Sequence, residues 1–123
     1  MLNDEFERGI KSFLDGVLGP GVYDMIPLRA RRYFLDNAHE LKAEALSTNY
    51  IPDFTPERIR SIQHPVLLLE GDCSPNFFHA ILDILQSSLL RTDRRKISNA
   101  SHGMHADNPT EYNRYVLDFL SRH

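Results

Sequence analysis

Four consecutive aliphatic residues, Val66 to Leu69, form the sequence feature that most restricts the fold of this chain. Pro65 and Gly71 bound the run, which gives it the length of a strand and makes it too short for a buried helix. An uninterrupted apolar strand is typical of parallel sheets that helices cover on both faces. The sequence therefore predicts an α/β architecture around this strand.

The residues after the strand predict a helix, a second strand and a last helix. Ser74-Pro75 is a helix start, and a stripe of apolar residues follows it as far as Leu89. A weaker strand is predicted over Arg94–Ser98, and Asn108-Pro109 begins the closing helix. The order strand, helix, strand, helix predicts a parallel pair joined by a right-handed crossover.

The first 60 residues predict helices and loops only. One amphipathic helix starts at Asn3 or Asp4 and is broken by the glycines between Gly16 and Gly21. A second helix is predicted from Pro27 to Ala45, then a loop over Tyr50–Phe54 and a short helix capped by Thr55. We therefore divide the chain into a helical region, 1–60, and an α/β half, 61–123.

Charge and composition exclude several classes of partner. Lys and Arg number 14 against 17 Asp and Glu, and the basic cluster of Arg91 and Arg94 to Lys96 is interpreted as a solvated connection, so no nucleic-acid partner is expected. The single cysteine, Cys73, excludes an intramolecular disulfide and suits a reducing compartment. Neither a signal peptide nor an apolar stretch of about 20 residues is visible, so we predict a cytoplasmic protein with no membrane partner.

Candidate functional residues lie in the two loops that follow the predicted strands. In open α/β sheets such loops, just beyond the carboxyl ends of the strands, hold the functional side chains. The first loop is Glu70–Pro75, and the second is Asn99–Asn108, which contains His102, His105 and Asp107.

The second loop resembles the C-terminus of the α/β-hydrolase superfamily, in which a strand ends in small residues and a histidine before an acid and a proline. His102 falls on the catalytic histidine of the family, and His105, Asp107 and Pro109 match the rest of the pattern. The resemblance covers Ile59 to Arg122, and it implies a partial α/β-hydrolase fold. The helical region 1–60 is similar to the cap of this superfamily, and 61–123 to the C-terminal half of its core.

The resemblance implies a hydrolase of small apolar substrates such as esters, with His102 as general base. Asp72 is the candidate acid of the first loop, although the family often has its aspartate at the position of Ser74. Tyr23, Met25 and Ile26 of the cap-like region are candidates for lining a substrate pocket, or they simply pack. No cofactor is implied.

The nucleophile of the family is missing from these residues. Its signature is Gly-x-Ser-x-Gly, and no serine of this sequence has glycines at that spacing. If the chain is a hydrolase, its nucleophile and oxyanion hole therefore come from sequence outside it. The alternative is a non-catalytic binding or dimerisation module derived from a hydrolase.

An apolar strand at the edge of a small sheet would expose hydrogen-bonding groups, which favours pairing with another chain. We therefore expect a homo-oligomer, or an association with a complementing hydrolase fragment.

Three other interpretations of the loops are weaker. His102, His105 and Asp107 have side chains that could bind zinc, but the His-x-x-His spacing is common by chance, so no metal is expected. Cys73 could act as a nucleophile if His102 stabilised its thiolate, or it is a small buried residue beside the strand end. The glycines between Gly16 and Gly21 follow a helix instead of a strand, which indicates a turn and not a phosphate loop.

Overall fold

The computed structural model describes residues 2–48 and 53–123. The chain divides into two compact units, Met1–Asp53 (unit 1) and Phe54–His123 (unit 2). Residues 50–52 of the predicted Tyr50–Phe54 loop lie outside the described residues. Within the described ranges, no helix is both long enough and apolar enough to cross a membrane.

Unit 1 consists of helices in its described part: α1 (Leu2–Leu18), α2 (Val22–Met25), α3 (Leu28–Asp36) and α4 (Ala38–Leu46). Ile10 and Leu14 lie one turn apart on α1, so both point to the same side. They form a buried cluster with Tyr23 and Ala38. The period of the apolar residues in α1 thus determines which side of the helix the rest of the unit covers.

The predicted turn after α1 is confirmed. The helix continues through Gly16 to Leu18, and the backbone then reverses over Gly19 and Gly21, whose φ angles are 125° and 78°. These positive angles belong to the left-handed region, which glycine adopts without steric cost. The two glycines therefore end α1 and direct the chain into α2.

The single helix predicted from Pro27 to Ala45 is wrong, because it is two helices that meet at Asn37. The Asn37 side chain donates a hydrogen bond to the Tyr33 carbonyl at 2.7 Å, and its backbone has φ −104° and ψ 12°. Asparagine side chains compete in this way with the helical hydrogen bonds of the backbone. The apolar period continues across the break, so the periodicity did not reveal it.

Unit 2 contains the mixed part of the fold: α5 (Pro56–Arg60), β1 (Val66–Gly71), α6 (Asn76–Ser88), β2 (Thr92–Ile97), α7 (Met104–Asp107) and α8 (Pro109–Ser121). The helix starts predicted at Thr55 and Asn108 are confirmed, because the Thr55 side chain accepts from the Arg58 N–H and the Asn108 side chain from the Glu111 N–H. Ser74 does not cap α6, which begins at Asn76 without a side-chain cap. Helix α5 lies in unit 2, whereas the division near residue 60 assigned it to the first region.

Strands β1 and β2 are parallel, as predicted, with Val66 opposite Thr92 and Gly71 opposite Ile97. Strand β2 starts two residues before the predicted Arg94 and has a polar sequence. Leu69 and Ile97 face α8, where they pack with Tyr112 and Tyr115. The alternate residues of both strands face α6, so helices cover both faces of the sheet.

A polar network connects the sheet to α6. The carboxylate of Glu70, 5% exposed, accepts hydrogen bonds from Arg94 at 2.9 Å and contacts the Nδ1 atom of His79. Arg94 also binds Asp83 and Gln86 of α6 at 2.5 and 3.0 Å. Arg94 to Lys96 therefore form a paired strand and not the solvated connection that the basic cluster suggested.

Arg94 and His79 keep Glu70 ionised. Burial by itself would raise the pKa of Glu70, but the hydrogen bonds from Arg94 and His79 outweigh burial and lower the pKa below its ordinary value. The group therefore stabilises unit 2 above the ordinary glutamate pKa, and this contribution is lost as the pH falls through the lower folded value.

We expect Glu70→Gln to lower the free energy of unfolding by about 3 kcal/mol at pH 7, because it removes one charge of a buried pair. Urea unfolding followed by circular dichroism measures the change. Glu57→Gln is the control, since Glu57 and Arg60 form a solvent-exposed pair at 4.0 Å, and exposed pairs of this kind stabilise a fold little. Equal midpoints for Glu70→Gln and the unmodified chain would contradict the network's role.

Candidate functional site

Two loops meet at the carboxyl ends of β1 and β2. We call residues 71–75 the β1 turn and residues 98–103 the β2 loop. The Asp72 N–H donates to the Ile97 carbonyl at 3.0 Å, and the Cys73 N–H donates to the Ala100 carbonyl at 2.9 Å. The β1 turn thus continues the pairing of the strands beyond the sheet.

Gly71 allows this contact by having no side chain. A Cβ atom at Gly71 would lie 2.2 Å from the carbonyl oxygens of Ala100 and Ser101. Both atoms belong to backbone, which cannot rotate away as the end of a flexible side chain can. The glycine is therefore required by the close approach of two chain segments, a reason distinct from the positive φ angles in unit 1.

Side chains from α7 and α8 hold the rest of the β2 loop. The Asp107 carboxylate accepts from the Ser101 N–H at 2.7 Å and from its hydroxyl at 2.6 Å. Glu111 accepts from the Ser98 N–H at 2.7 Å, and Asn108 donates to the Ser98 carbonyl at 3.0 Å. Both ends of the loop are therefore fixed to the helices that follow it.

His102 lies at the tip of the β2 loop, between Ser101 and Gly103, and is exposed. One face of its ring stacks on Phe78 of α6, with centroids 3.8 Å apart and planes 5° from parallel. Burial lowers the pKa of His102, and the charge of His105 lowers it further. The imidazole is therefore neutral at pH 7, which is the state a general base needs.

The carboxylate of Asp72 bonds to the β2 loop. Its Oδ1 atom accepts from the Ala100 N–H at 3.1 Å and from the Cys73 thiol at 3.3 Å. The Ala100 N–H contributes most to lowering the pKa of Asp72. Within the described ranges the ring of His102 has no hydrogen bond to a carboxylate. Asp72 and His102 thus share the site, with Asp72 bonded to backbone near His102.

Ser74 is the position at which the family often has its aspartate. Its side chain is buried, and its hydroxyl has no hydrogen-bond partner in the described part of the chain. A hydroxyl in this place cannot replace the charge of a carboxylate. The first loop therefore lacks an acid at the family's usual position.

Cys73 differs from the small buried residue that the sequence favoured. Cys73 is exposed, not buried, and Asp72 raises the pKa of its thiol, which disfavours a nucleophilic thiolate. His105 is exposed, with its ring 6.1 Å from that of Tyr112. Among the described residues, no three His, Cys, Asp or Glu side chains are grouped so that they could hold a metal ion.

The three candidate substrate-binding residues of unit 1 have different surroundings. Tyr23 is 2% exposed and belongs to the core, and its hydroxyl donates to Glu7 at 3.1 Å. Ile26 is partly buried against the same core, whereas Met25 is 75% exposed. Met25 is therefore the one of the three whose side chain is open to a ligand in unit 1.

Sequence reasoning missed two residues that support the site. Phe78 was assigned only to the apolar stripe of α6, and Asp107 only to the family pattern and to a metal alternative. The position of Asp107 six residues after Ser101 gives no sign of their hydrogen bond. The helix start predicted at Ser74-Pro75 puts Phe78 in the first turn of α6, next to the β1 turn. This position is the one signal in the sequence for its contact with the β2 loop.

No protein-family profile matches the chain. The carboxylesterase YbfK of Bacillus subtilis is 29% identical in an alignment 120 residues long, which covers 92% of this chain and 39% of that protein. A crystal structure of the carboxylesterase CesB (YbfK) from the same organism superposes with a TM-score of 0.70 at 26% identity, over 98% of this chain and 44% of that one. A second Bacillus subtilis crystal structure gives a TM-score of 0.60 at 25% identity, over 91% and 41%. The chain thus spans about two fifths of the length of these relatives.

We expect Gly71→Ala to destabilise unit 2 by about 3 kcal/mol, because the new methyl group overlaps the backbone of the β2 loop. Thermal unfolding followed by circular dichroism measures the loss. Gly16→Ala in α1 is the matched control, since a Cβ there meets nothing within 4 Å, and alanine in a helix is more stable than glycine by about 1 kcal/mol. Equal effects of the two substitutions would contradict the close approach at Gly71.

Proposed function

The chain carries part of an α/β-hydrolase fold, and on this premise we propose that it provides the histidine of a carboxylic-ester hydrolase. The observation that supports the proposal is the position of His102, on a fixed loop at the carboxyl end of a parallel sheet. The sequence similarity to a carboxylesterase is in keeping with a small ester as the substrate.

His102 would act as the general base. An imidazole takes the proton of a serine hydroxyl while the hydroxyl attacks the ester carbonyl, and it then gives the proton to the leaving alcohol. This cycle starts from a neutral ring. The lowered pKa of His102 supplies one at pH 7.

Asp72 would position the loop of His102. The hydrogen bond from the Ala100 N–H fixes the backbone two residues before the histidine. Within the described ranges, the Asp72 carboxylate forms no hydrogen bond with the His102 ring. We therefore propose that Asp72 places the backbone of the base. The carboxylate that orients the imidazole would come from another segment.

The nucleophile and the oxyanion hole would come from a segment outside these 123 residues, on the same polypeptide or on a second one. In the sheet of unit 2 as described, strand β1 pairs on one side only, with β2. A further parallel strand could pair with the other edge of β1 and bring a nucleophile to the same end of the sheet, where His102 lies.

The helical region 1–60 would act as the cap of such an enzyme. Met25 has the exposed apolar side chain that contact with a small ester requires. Tyr23 and Ile26 would support it from the core of unit 1. Shape and apolar contact in such a region select the substrate.

A second candidate function is a non-catalytic binding module. Two observations favour it. The sequence has no Gly-x-Ser-x-Gly motif, and within the described ranges the His102 ring donates no hydrogen bond to a carboxylate. In that case the loops would keep the family's shape without its reaction, and the free edge of β1 would serve association alone.

Hydrolysis of p-nitrophenyl butyrate tests the first function. The chain is isolated from its native cells together with its natural partners, and we expect this preparation to hydrolyse the ester. We expect His102→Ala to reduce kcat about a thousandfold or more. His64→Ala is the control, with an expected change of less than about twofold, since His64 is exposed and precedes β1, at the end of the strand opposite to the loop of His102. Equal rates with and without His102 would overturn its role, and an inactive preparation would favour the binding module.

Association through the free edge of β1 has a separate test. Helix α6 packs on β1 and exposes Phe77, Ile81 and Ile84, whereas α8 packs near β2 and exposes Leu117. We expect light scattering of the concentrated chain to detect oligomers, Ile84→Glu to shift them to monomers, and Leu117→Glu to leave them unchanged. A strictly monomeric chain at high concentration would contradict this association.

A further inference from the structure

Phe78 lies in the first turn of α6 and holds a ring against the imidazole of His102. The two rings are 3.8 Å apart at their centroids and 5° from parallel. The ring of Phe77 supports Phe78 at 4.1 Å, with an angle of 38° between the planes. The Phe78 ring under His102 is therefore itself held by packing against Phe77.

The loop contacts fix the backbone of His102 but not its ring. Asp72 and Asp107 bond to Ala100 and Ser101, which precede His102 in the chain. Rotation about the Cα–Cβ and Cβ–Cγ bonds of His102 remains, and hydrogen bonds from the ring, which could stop it, are absent within the described ranges. Stacking on Phe78 is the contact that defines the plane of the imidazole.

We propose that Phe78 is a positioning residue for His102, because its ring fixes the plane of the imidazole and removes water from one of its faces. The consequence is a histidine that stays neutral and points one edge outward without a carboxylate to orient it. This inference rests on the proposed role of His102 as general base.

Two effects of an aromatic neighbour oppose each other. A protonated imidazole gains from the negative face of a phenyl ring, which favours the charged form, while the loss of water favours the neutral form. Burial is the larger cause of the lowered pKa of His102, and the charge of His105 is the second. We expect desolvation to be the larger of the two effects at Phe78, and the direction of the pKa change in Phe78→Ala decides between them.

The other titratable groups near the loop do not change this balance. His105 on α7 acts in the same direction as burial. Asp107 is bonded to Ser101, and Asp72 to Ala100 and to the thiol of Cys73. Both carboxylates are thus directed to the loop backbone and its neighbours.

An NMR titration of the histidine ring protons in the whole chain tests the proposal. We expect Phe78→Leu to remove the ring-current shift of the His102 protons while keeping most of the apolar contact. We expect Phe78→Ala to raise the pKa of His102 towards its ordinary value. His39 and His64 are internal controls, and Leu117→Ala, at an exposed position of α8, is the matched variant that leaves His102 unchanged.

The role of Phe78 is overturned if the chemical shifts and pKa of His102 are the same in all variants, or if Phe78→Ala lowers the pKa. If Phe78→Ala does not fold, the ring-current shift in Phe78→Leu gives the decision. The titration needs neither ester nor partner. A different result is that the Phe78 variants change the His102 signals as expected while the chain isolated with its partners has no esterase activity. That result would overturn the proposed function and support the positioning role of Phe78.

Discussion

The approach of the β2 loop to Gly71 is the contact on which the arrangement of unit 2 depends. Two backbone segments meet there without an intervening side chain, and hydrogen bonds from the Asp72 and Cys73 N–H groups join them. Because this contact fixes Ala100, it also fixes His102 two residues later. Asp72, Asp107 and Glu111 then act on a loop whose path is already determined.

A small sheet of this kind has few apolar groups to bury, and it uses ion pairs instead. Ile97, Ala100 and Met104 form the core below α8, whereas on the opposite face Glu70, Arg94 and His79 form a polar network beside the buried Leu68. Buried charges stabilise a fold less than apolar packing, and they need partners within reach. The contact between Glu70 and Arg94 thus fits the observed register of β2 against β1.

The sequence alone was sufficient for the parallel strands of unit 2 and for the helices α6 and α8 that follow them, and it put His102 in the loop after β2. It did not indicate the short helix α7, which lies within the predicted loop Asn99–Asn108. The predicted features depend on local patterns: the apolar run of β1, the Thr-Pro and Asn-Pro helix starts and the motif around His102. The break at Asn37, the pairing of Arg94 with Glu70 and the stacking of Phe78 on His102 were not predictable in this way. Each of them depends on a specific contact between side chains or between a side chain and the backbone. Neither the periodicity of the sequence nor the spacing of its residues indicates such contacts.

The register of the sheet, with Val66 opposite Thr92, also has a kinetic meaning. Val66 and Thr92 are about 26 residues apart in the chain, with α6 between them, so the intervening loop must close before the strands can pair. Parallel pairing of this kind forms slowly compared with local helical contacts. Two strands alone are marginally stable in water, so the sheet is expected to form together with the helices that cover it and not ahead of them.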